Sequence, residues 1–339
     1  MQEILSKLIK GKNLTAKQAR LVMDELMEGH LTAAQIGALL TALRIKGETV
    51  EEISGFAHVM QKKARKVKVG ELDCIDTCGT GGDGSNTYNV STAVAFVLAA
   101  AGVPVAKHGN RSVSSRCGSA DVLEALGARV DLPPDGVETS LRQLGIGFIF
   151  APIFHQAMQH AIAPRRELGI RTVFNLLGPL TNPAGAKRQV LGVFAARLTQ
   201  PLARVLRELG SKRAMVFHGD DGLDELTVTT TSQVSELQEN GQIIDYVLDP
   251  RELGIPASGP EDLQGGDIQT NAELIESLLA GEKGAKRDLL LLNSAAAFYV
   301  AGKASSLREG INLAAETIDR GLAREKLKQF CRLTKGYQQ

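Results

Sequence analysis

The sequence predicts an α/β protein: a mainly parallel central sheet flanked by helices, with a smaller all-helical domain at its N-terminal end. Three observations carry this. Helix-start punctuation recurs three times in the first ~65 residues, short apolar runs alternate with amphipathic stretches from Cys74 onward, and the first of those runs ends in a glycine-dense loop.

Thr15-x-x-Gln18, Thr32-x-x-Gln35 and Thr49-x-x-Glu52 each precede an apolar-periodic run, the pattern of a capping box. Gly29 and Gly47 fall where those helices should stop. Ile36, Leu39, Leu40 and Leu43 form one apolar stripe, and Ile53, Phe56, Ala57 and Met60 another. The basic run Lys62, Lys63, Arg65, Lys66 and Lys68 reads as a solvated helix end and linker, which puts the helical domain at 1–69 and the α/β domain at 70–339.

Strands are expected at 74–77, 103–106, 148–150, 190–194 and 214–217, with helices at 120–126, 136–144 and 201–209 between them. Residues 227–231 and 243–248 are β-rich and close enough to make an antiparallel addition. The tail returns to helix at 272–279, 289–301 and 306–330. Segment 163–187 carries Pro164, Gly169, Gly178, Pro179, Asn182, Pro183 and Gly185, too broken for one element. It is expected to cross back and complete the helical domain, leaving a ligand cleft between the two parts.

Composition bounds the function. A formal net charge of +1 over 339 residues argues against general nucleic-acid affinity, which needs a basic excess. Cys74, Cys78, Cys117 and Cys331 are scattered, with no C-x-x-C pair, as in a protein with reduced thiols. The N-terminus lacks the apolar core of a signal peptide, and the longest apolar run, 93–103, is too short for a membrane span. A cytoplasmic enzyme is the expectation.

Four motifs carry chemistry. Residues 74–83 read Cys-Ile-Asp-Thr-Cys-Gly-Thr-Gly-Gly-Asp, and Asn89-Val90-Ser91-Thr92 then opens an apolar helix. Gly79, Gly81, Gly82 and Gly84 free backbone N–H groups to converge on an anion, and a helix N-terminus adds its own donors. The glycines match a dinucleotide fingerprint, but no acid follows about 20 positions on, and no P-loop pattern occurs. Lys107-His108-Gly109-Asn110-Arg111-Ser112-Val113-Ser114-Ser115 follows the next strand and so reaches the same carboxyl edge. In His218-Gly-Asp-Asp-Gly-Leu-Asp-Glu, Asp220 and Asp221 read as solvated turn acids. Asp224-Glu225 is the better magnesium candidate, though spacing alone does not separate metal binding from acid–base work. Arg165, in the broken segment, suits a carboxylate; Arg166 reads as a surface ion pair, and His155 and His160 as packed or surface imidazoles in a helix.

Together with Arg-Thr-Val-Phe-Asn-Leu-Leu-Gly-Pro-Leu-Thr-Asn-Pro from Arg171 and Gly-Leu-Asp-Glu from Gly222, these motifs resemble the anthranilate phosphoribosyltransferase family, in the family's order from Asp76 to Glu225. The resemblance implies a 5-phosphoribosyl 1-diphosphate site at Gly79, Gly82, Asp83, Thr87, Asn89, Val90, Ser91, Thr92, Lys107, His108, Gly109, Asn110, Arg111, Ser112, Val113, Ser114, Ser115 and Ser119. It implies Mg2+ at Ser91, Asp224 and Glu225, and anthranilate at Gly79, Asn110 and Arg165 with His108 nearby. The implied catalytic work is charge holding by Lys107, a carboxylate clamp at Arg165, and either amine orientation or late proton transfer at His108. A homodimer is implied as well. The rivals are a nucleoside phosphorylase of related fold, a non-catalytic nucleic-acid-binding relative and, more distantly, an NADP oxidoreductase.

Overall fold

The computed structural model describes residues 1–112 and 117–337. Helices α1 (Gln2–Ile9), α2 (Ala16–Met27), α3 (Ala33–Lys46) and α4 (Val50–Lys63) form the N-terminal bundle. All three expected capping boxes are present, with Thr15, Thr32 and Thr49 accepting from the N3 amides and Gln18, Gln35 and Glu52 returning the bond. The apolar cluster of these helices also takes in Ala161, Val173, Phe174, Leu176, Leu177 and Leu180.

The sheet has seven strands in the order β3-β2-β1-β4-β5-β6-β7. They are β1 (Ile75–Asp76), β2 (Val105–Gly109), β3 (Ile146–Phe150), β4 (Arg188–Gly192), β5 (Arg213–Gly219), β6 (Ser232–Leu237) and β7 (Ile243–Leu248). The first five run parallel, and β6 and β7 add antiparallel. Helix α5 (Val90–Ala100) is apolar on every side because it lies inside the molecule, under the sheet and against helices Ala285–Val300 and Leu322–Gly336.

Several expectations are corrected. Residues 227–231 form no strand: Thr227 and Thr229 turn their hydroxyls onto Asp221, and the antiparallel strand begins at Ser232. The tail helix expected at 306–330 is two helices, Leu307–Asp319 and Leu322–Gly336, parted where Gly321 takes φ 71°. Segment 163–187 is less broken than its prolines suggest, since Gln159–Leu168 is helical through Pro164. His155 lies between helices, while His160 is helical. The second strand reaches Gly109, so Lys107 and His108 belong to it, held opposite Phe148 and Ile149 of β3.

Candidate active site

The strand order reverses at β1, whose loop runs one way and whose neighbour β4 continues the other; that crevice at the carboxyl edge is where ligands of open α/β sheets sit. The glycine loop occupies it. Thr80 donates its amide to Gly192 O at 2.9 Å, and its Oγ1 accepts the Phe194 amide at 3.1 Å, tying the loop to the end of β4. Gly81, Gly82 and Gly84 all take positive φ (63°, 76° and 80°), conformations that L side chains rarely adopt. Gly192 is sterically fixed, because a Cβ there would lie 1.6 Å from the Asp224 carbonyl oxygen.

Strand alternation sends Lys107 and His108 to opposite faces of β2. Lys107 is 3% exposed, and its Nζ donates to Ser91 Oγ at 3.1 Å, Thr77 Oγ1 at 3.2 Å and Thr77 O at 3.3 Å. Those partners are neutral, and Lys107 makes no ion pair among the described residues. Burial pulls its proton affinity down, with Asp76 and Glu225 supporting the charge from further off. A buried ammonium without a direct counterion suits an anionic ligand.

His108 faces the other way, with Nδ1 3.0 Å from Gly178 O. A carbonyl only accepts, so Nδ1 carries the hydrogen and Nε2 keeps a lone pair. Nε2 is buried with no partner among the described residues, and the His155 ring stands 5.1 Å away. Burial first, then His155, lowers the His108 pKa to about 3, so the ring is neutral at physiological pH.

Three acids meet beside the glycine loop. Asp224 Oδ2 accepts the Gly81 amide at 2.6 Å, and the Asp224 amide points to Asp83 Oδ2 at 3.5 Å. Burial, then the charge of Asp83, pushes the Asp224 pKa up to about 7. Burial and Asp224 drive Glu225 well above the usual carboxylate range, while Lys107 and the Ser91 amide work against that rise. Asp224, Glu225 and Ser91 line one narrow cavity with Thr77, Gly79 and Gly192. Crowded carboxyls whose proton affinity is raised by burial and by one another, joined by a serine oxygen, form an all-oxygen donor set that fits a hard divalent ion. Among the described residues, the acids and imidazoles gathered tightly enough for one ion are instead Glu25, Glu28 and His30, on the bundle surface. Asp224 and Glu225 would therefore need ligand oxygens to complete a magnesium shell, the usual arrangement for magnesium on phosphates.

The remaining expected residues divide. Val90, Ser91 and Thr92 form the first turn of α5; Thr92 Oγ1 and Asn89 Oδ1 are buried with no partners among the described residues, and Asn89 Nδ2 donates to Cys117 O at 3.1 Å. Thr87 bridges Gln264, and its Oγ1 lies 3.4 Å from Ser85 Oγ, which donates to Asp83. Gly109 ends β2; Ser119 Oγ donates to Asn110 O at 3.3 Å, and the Ser112 amide to Asp121 at 3.1 Å. Arg111 is turned onto Asp121 and Glu124, at 2.9 and 2.6 Å. Val113, Ser114 and Ser115 lie outside the described residues. Arg165 stands over the Phe174 ring at 4.9 Å, makes no ion pair among the described residues, and has its proton affinity lowered by burial.

Sequence reasoning missed Arg171, whose guanidinium donates to Gly82 O and lies 4.5 Å over the Phe194 ring. It also missed the buried pair Asp76 and Asn182, joined at 2.7 Å. Nothing in a single sequence marks an acid inside an apolar strand as the partner of an amide 106 residues away.

Known proteins agree with this arrangement. The helical bundle domain of a glycosyl transferase family matches residues 2–64, and that family's a/b domain matches 71–324. Anthranilate phosphoribosyltransferase of Alkaliphilus metalliredigens is 58% identical over 98% of both chains. That of Acetivibrio thermocellus is 56% identical over 99% of this chain and 97% of its own. Among solved structures, the Thermus thermophilus enzyme superposes with a TM-score of 0.93 at 45% identity, covering 98% of this chain and 99% of its own. The Saccharomyces cerevisiae enzyme, in complex with PRPP and Mg, gives 0.89 at 27% identity, covering 99% and 98%. With a glycine loop at the sheet's switch point, a buried lysine that makes no ion pair among the described residues, and near-full-length identity above one half, the chain belongs to the anthranilate phosphoribosyltransferase family.

Proposed function

We propose that the chain transfers the phosphoribosyl group of 5-phosphoribosyl 1-diphosphate to the amine of anthranilate, giving N-(5-phosphoribosyl)anthranilate and diphosphate in tryptophan biosynthesis. The observation that carries this reading is the division of labour at β2. Lys107 faces the glycine loop and the acids, whereas His108 faces Gly178 in the crossover segment that also bears Arg165.

An aryl amine is neutral at pH 7 and needs no base before it attacks. Departure of diphosphate is the harder event, leaving positive charge on the ribose as in glycoside cleavage. The Gly79–Gly82 amides, the start of α5 and Lys107 would hold the diphosphate, with Asn110, Ser112 and Ser119 beside them. Asp224, Glu225 and Ser91 would hold magnesium, which when bound neutralises diphosphate charge. Arg165 would fix the anthranilate carboxylate through a forked hydrogen bond. His108, neutral and weakly basic, would accept from the amine through Nε2; orientation suits its lowered pKa better than proton removal.

The helical domain would comprise 1–69 completed by about 163–187, so that crossover residues close on the α/β domain 70–339. The partner would be a second copy of the chain. Ile9 and Ile45 are 75% and 82% exposed beside a groove lined by Leu8, Ala38 and Ala42, an apolar face such a partner could cover; sedimentation at twice 36.2 kDa, lost in Ile45→Asp, would support a homodimer through it. Four free cysteines, and no helix among the described residues long and apolar enough to cross a membrane, support a cytoplasmic setting.

Anthranilate is fluorescent, so the test is direct. Adding the chain, magnesium and 5-phosphoribosyl 1-diphosphate should extinguish the signal with release of one diphosphate per anthranilate. Persistent fluorescence with folded protein and both substrates intact would refute the assignment.

A further inference from the structure

The sheet is incomplete just below the substrate loops. Strand β1 is two residues long and meets β2 only at Ile75↔Val105, whereas β2 runs on to Gly109 beside β3. Beyond the Ala106 amide, which this pairing ties to β1, the Ala106 carbonyl and the His108 amide on the β1-facing edge of β2 meet no backbone partner among the described residues. Two side chains take the place of the missing strand. Asp76 Oδ1 accepts the His108 amide at 3.2 Å, and the Asn182 amide group donates to Ala106 O at 2.8 Å. The same Asp76 oxygen accepts the Cys78 amide at 3.1 Å, at the root of the glycine loop, while its other oxygen takes Asn182 Nδ2 at 2.7 Å. Asn182 Oδ1 in turn accepts the Ala184 amide at 2.9 Å. Asp76 is 1% exposed and Asn182 7%, so water does not substitute for these bonds.

We infer that the Asp76 carboxylate, oriented by Asn182, is the positioning group that sets the glycine loop, the Lys107–His108 strand end and the crossover segment at their working distances. It touches neither substrate in this role. One carboxylate joins the diphosphate side (Cys78), the anthranilate side (His108) and the crossover bearing Arg165 and Asn182. A shift of its bonds moves both substrates' contacts together, and misplacement of reacting groups by about 1 Å costs on the order of a hundredfold in rate.

The inference rests on the proposed reaction, and kinetics on the full chain with magnesium test it. Asp76→Asn keeps the volume but converts one acceptor into a donor, so either the two amides or Asn182 face a second donor. Asn182→Ala, which leaves the carboxylate and both amide donors in place, carries the test should Asp76→Asn fail to fold. In protein with a native near-UV spectrum, the KM values for both substrates should rise together by about threefold or more, and kcat should fall by about tenfold to a hundredfold. Wild-type constants in folded variants that merely melt earlier would show a structural role alone and overturn the inference. No turnover by the unaltered chain would overturn the functional reading and this inference with it.

Discussion

Asp224→Asn should make the metal-free protein more stable while weakening its dependence on magnesium. The Asp224 carboxyl ionises near 3.8 in an unfolded chain but is pushed up to about 7 here by burial and by Asp83. A carboxyl whose pKa is raised on folding favours the folded state when protonated. Its stabilisation is complete below the unfolded value and is lost as pH climbs toward the folded one. The loss is up to about 1.4 kcal/mol per pH unit, or about 4 kcal/mol across the window. Solvent that enters the cleft screens the group and cuts this to about 2 kcal/mol. Asparagine keeps an oxygen for the Gly81 amide and removes the titration. About two thirds of that window lies above pH 5, and for a chain of this size about 2 °C of melting temperature corresponds to each kcal/mol, so the variant's advantage should widen by about 2–3 °C between pH about 5 and pH about 8. Thermal melts without metal measure it directly. An equal gap at both pH values, or a variant less stable at the higher one, would refute the account of these acids.

Arg165→Ala should raise the KM for anthranilate by at least about tenfold and leave that for 5-phosphoribosyl 1-diphosphate within about twofold, since a forked charge-assisted bond is lost from one substrate only; equal changes in both would dismiss the clamp. Gly192→Ala must displace the Asp224 carbonyl from 1.6 Å, so melting should fall by several degrees, at a cost of about 3 kcal/mol or more. His155 is buried with its pKa lowered to about 4, so the unfolded chain binds the extra proton and stability falls as pH drops below about 6.5. In His155→Phe, the stability lost between pH about 7 and pH about 5 in urea titrations should shrink by about 2 kcal/mol; an unchanged loss would mean the imidazole is already charged in the fold.

The parts of this site that were legible in the sequence are those whose chemistry is local. Four glycines in six residues, a lysine at a strand end and an Asp-Glu pair each announce a role by residue type and spacing. Capping boxes were equally readable, because Thr49 and Glu52 make their reciprocal bonds within one turn. Strand limits were not. Lys107 and His108 look like loop residues until the pairing with Phe148 and Ile149 of β3 extends the strand past them. Thr227 and Thr229 have strand propensity, yet Asp221 captures both hydroxyls. Most hidden were Asp76, Asn182 and Arg171, whose roles depend on partners brought together only by the fold. Pro164 misled for a related reason: tertiary packing keeps Gln159–Leu168 helical against α3 despite the proline.

The central claim is that the turn after β1, with Lys107 and a divalent ion, receives the departing diphosphate. A crystal structure of the chain with 5-phosphoribosyl 1-diphosphate and magnesium tests it most directly. The account predicts phosphate oxygens on the Gly81 and Gly82 amides, the Gly81 amide released from Asp224, and that carboxylate turned to the metal. Diphosphate bound elsewhere, with Gly81 still donating to Asp224, would contradict it.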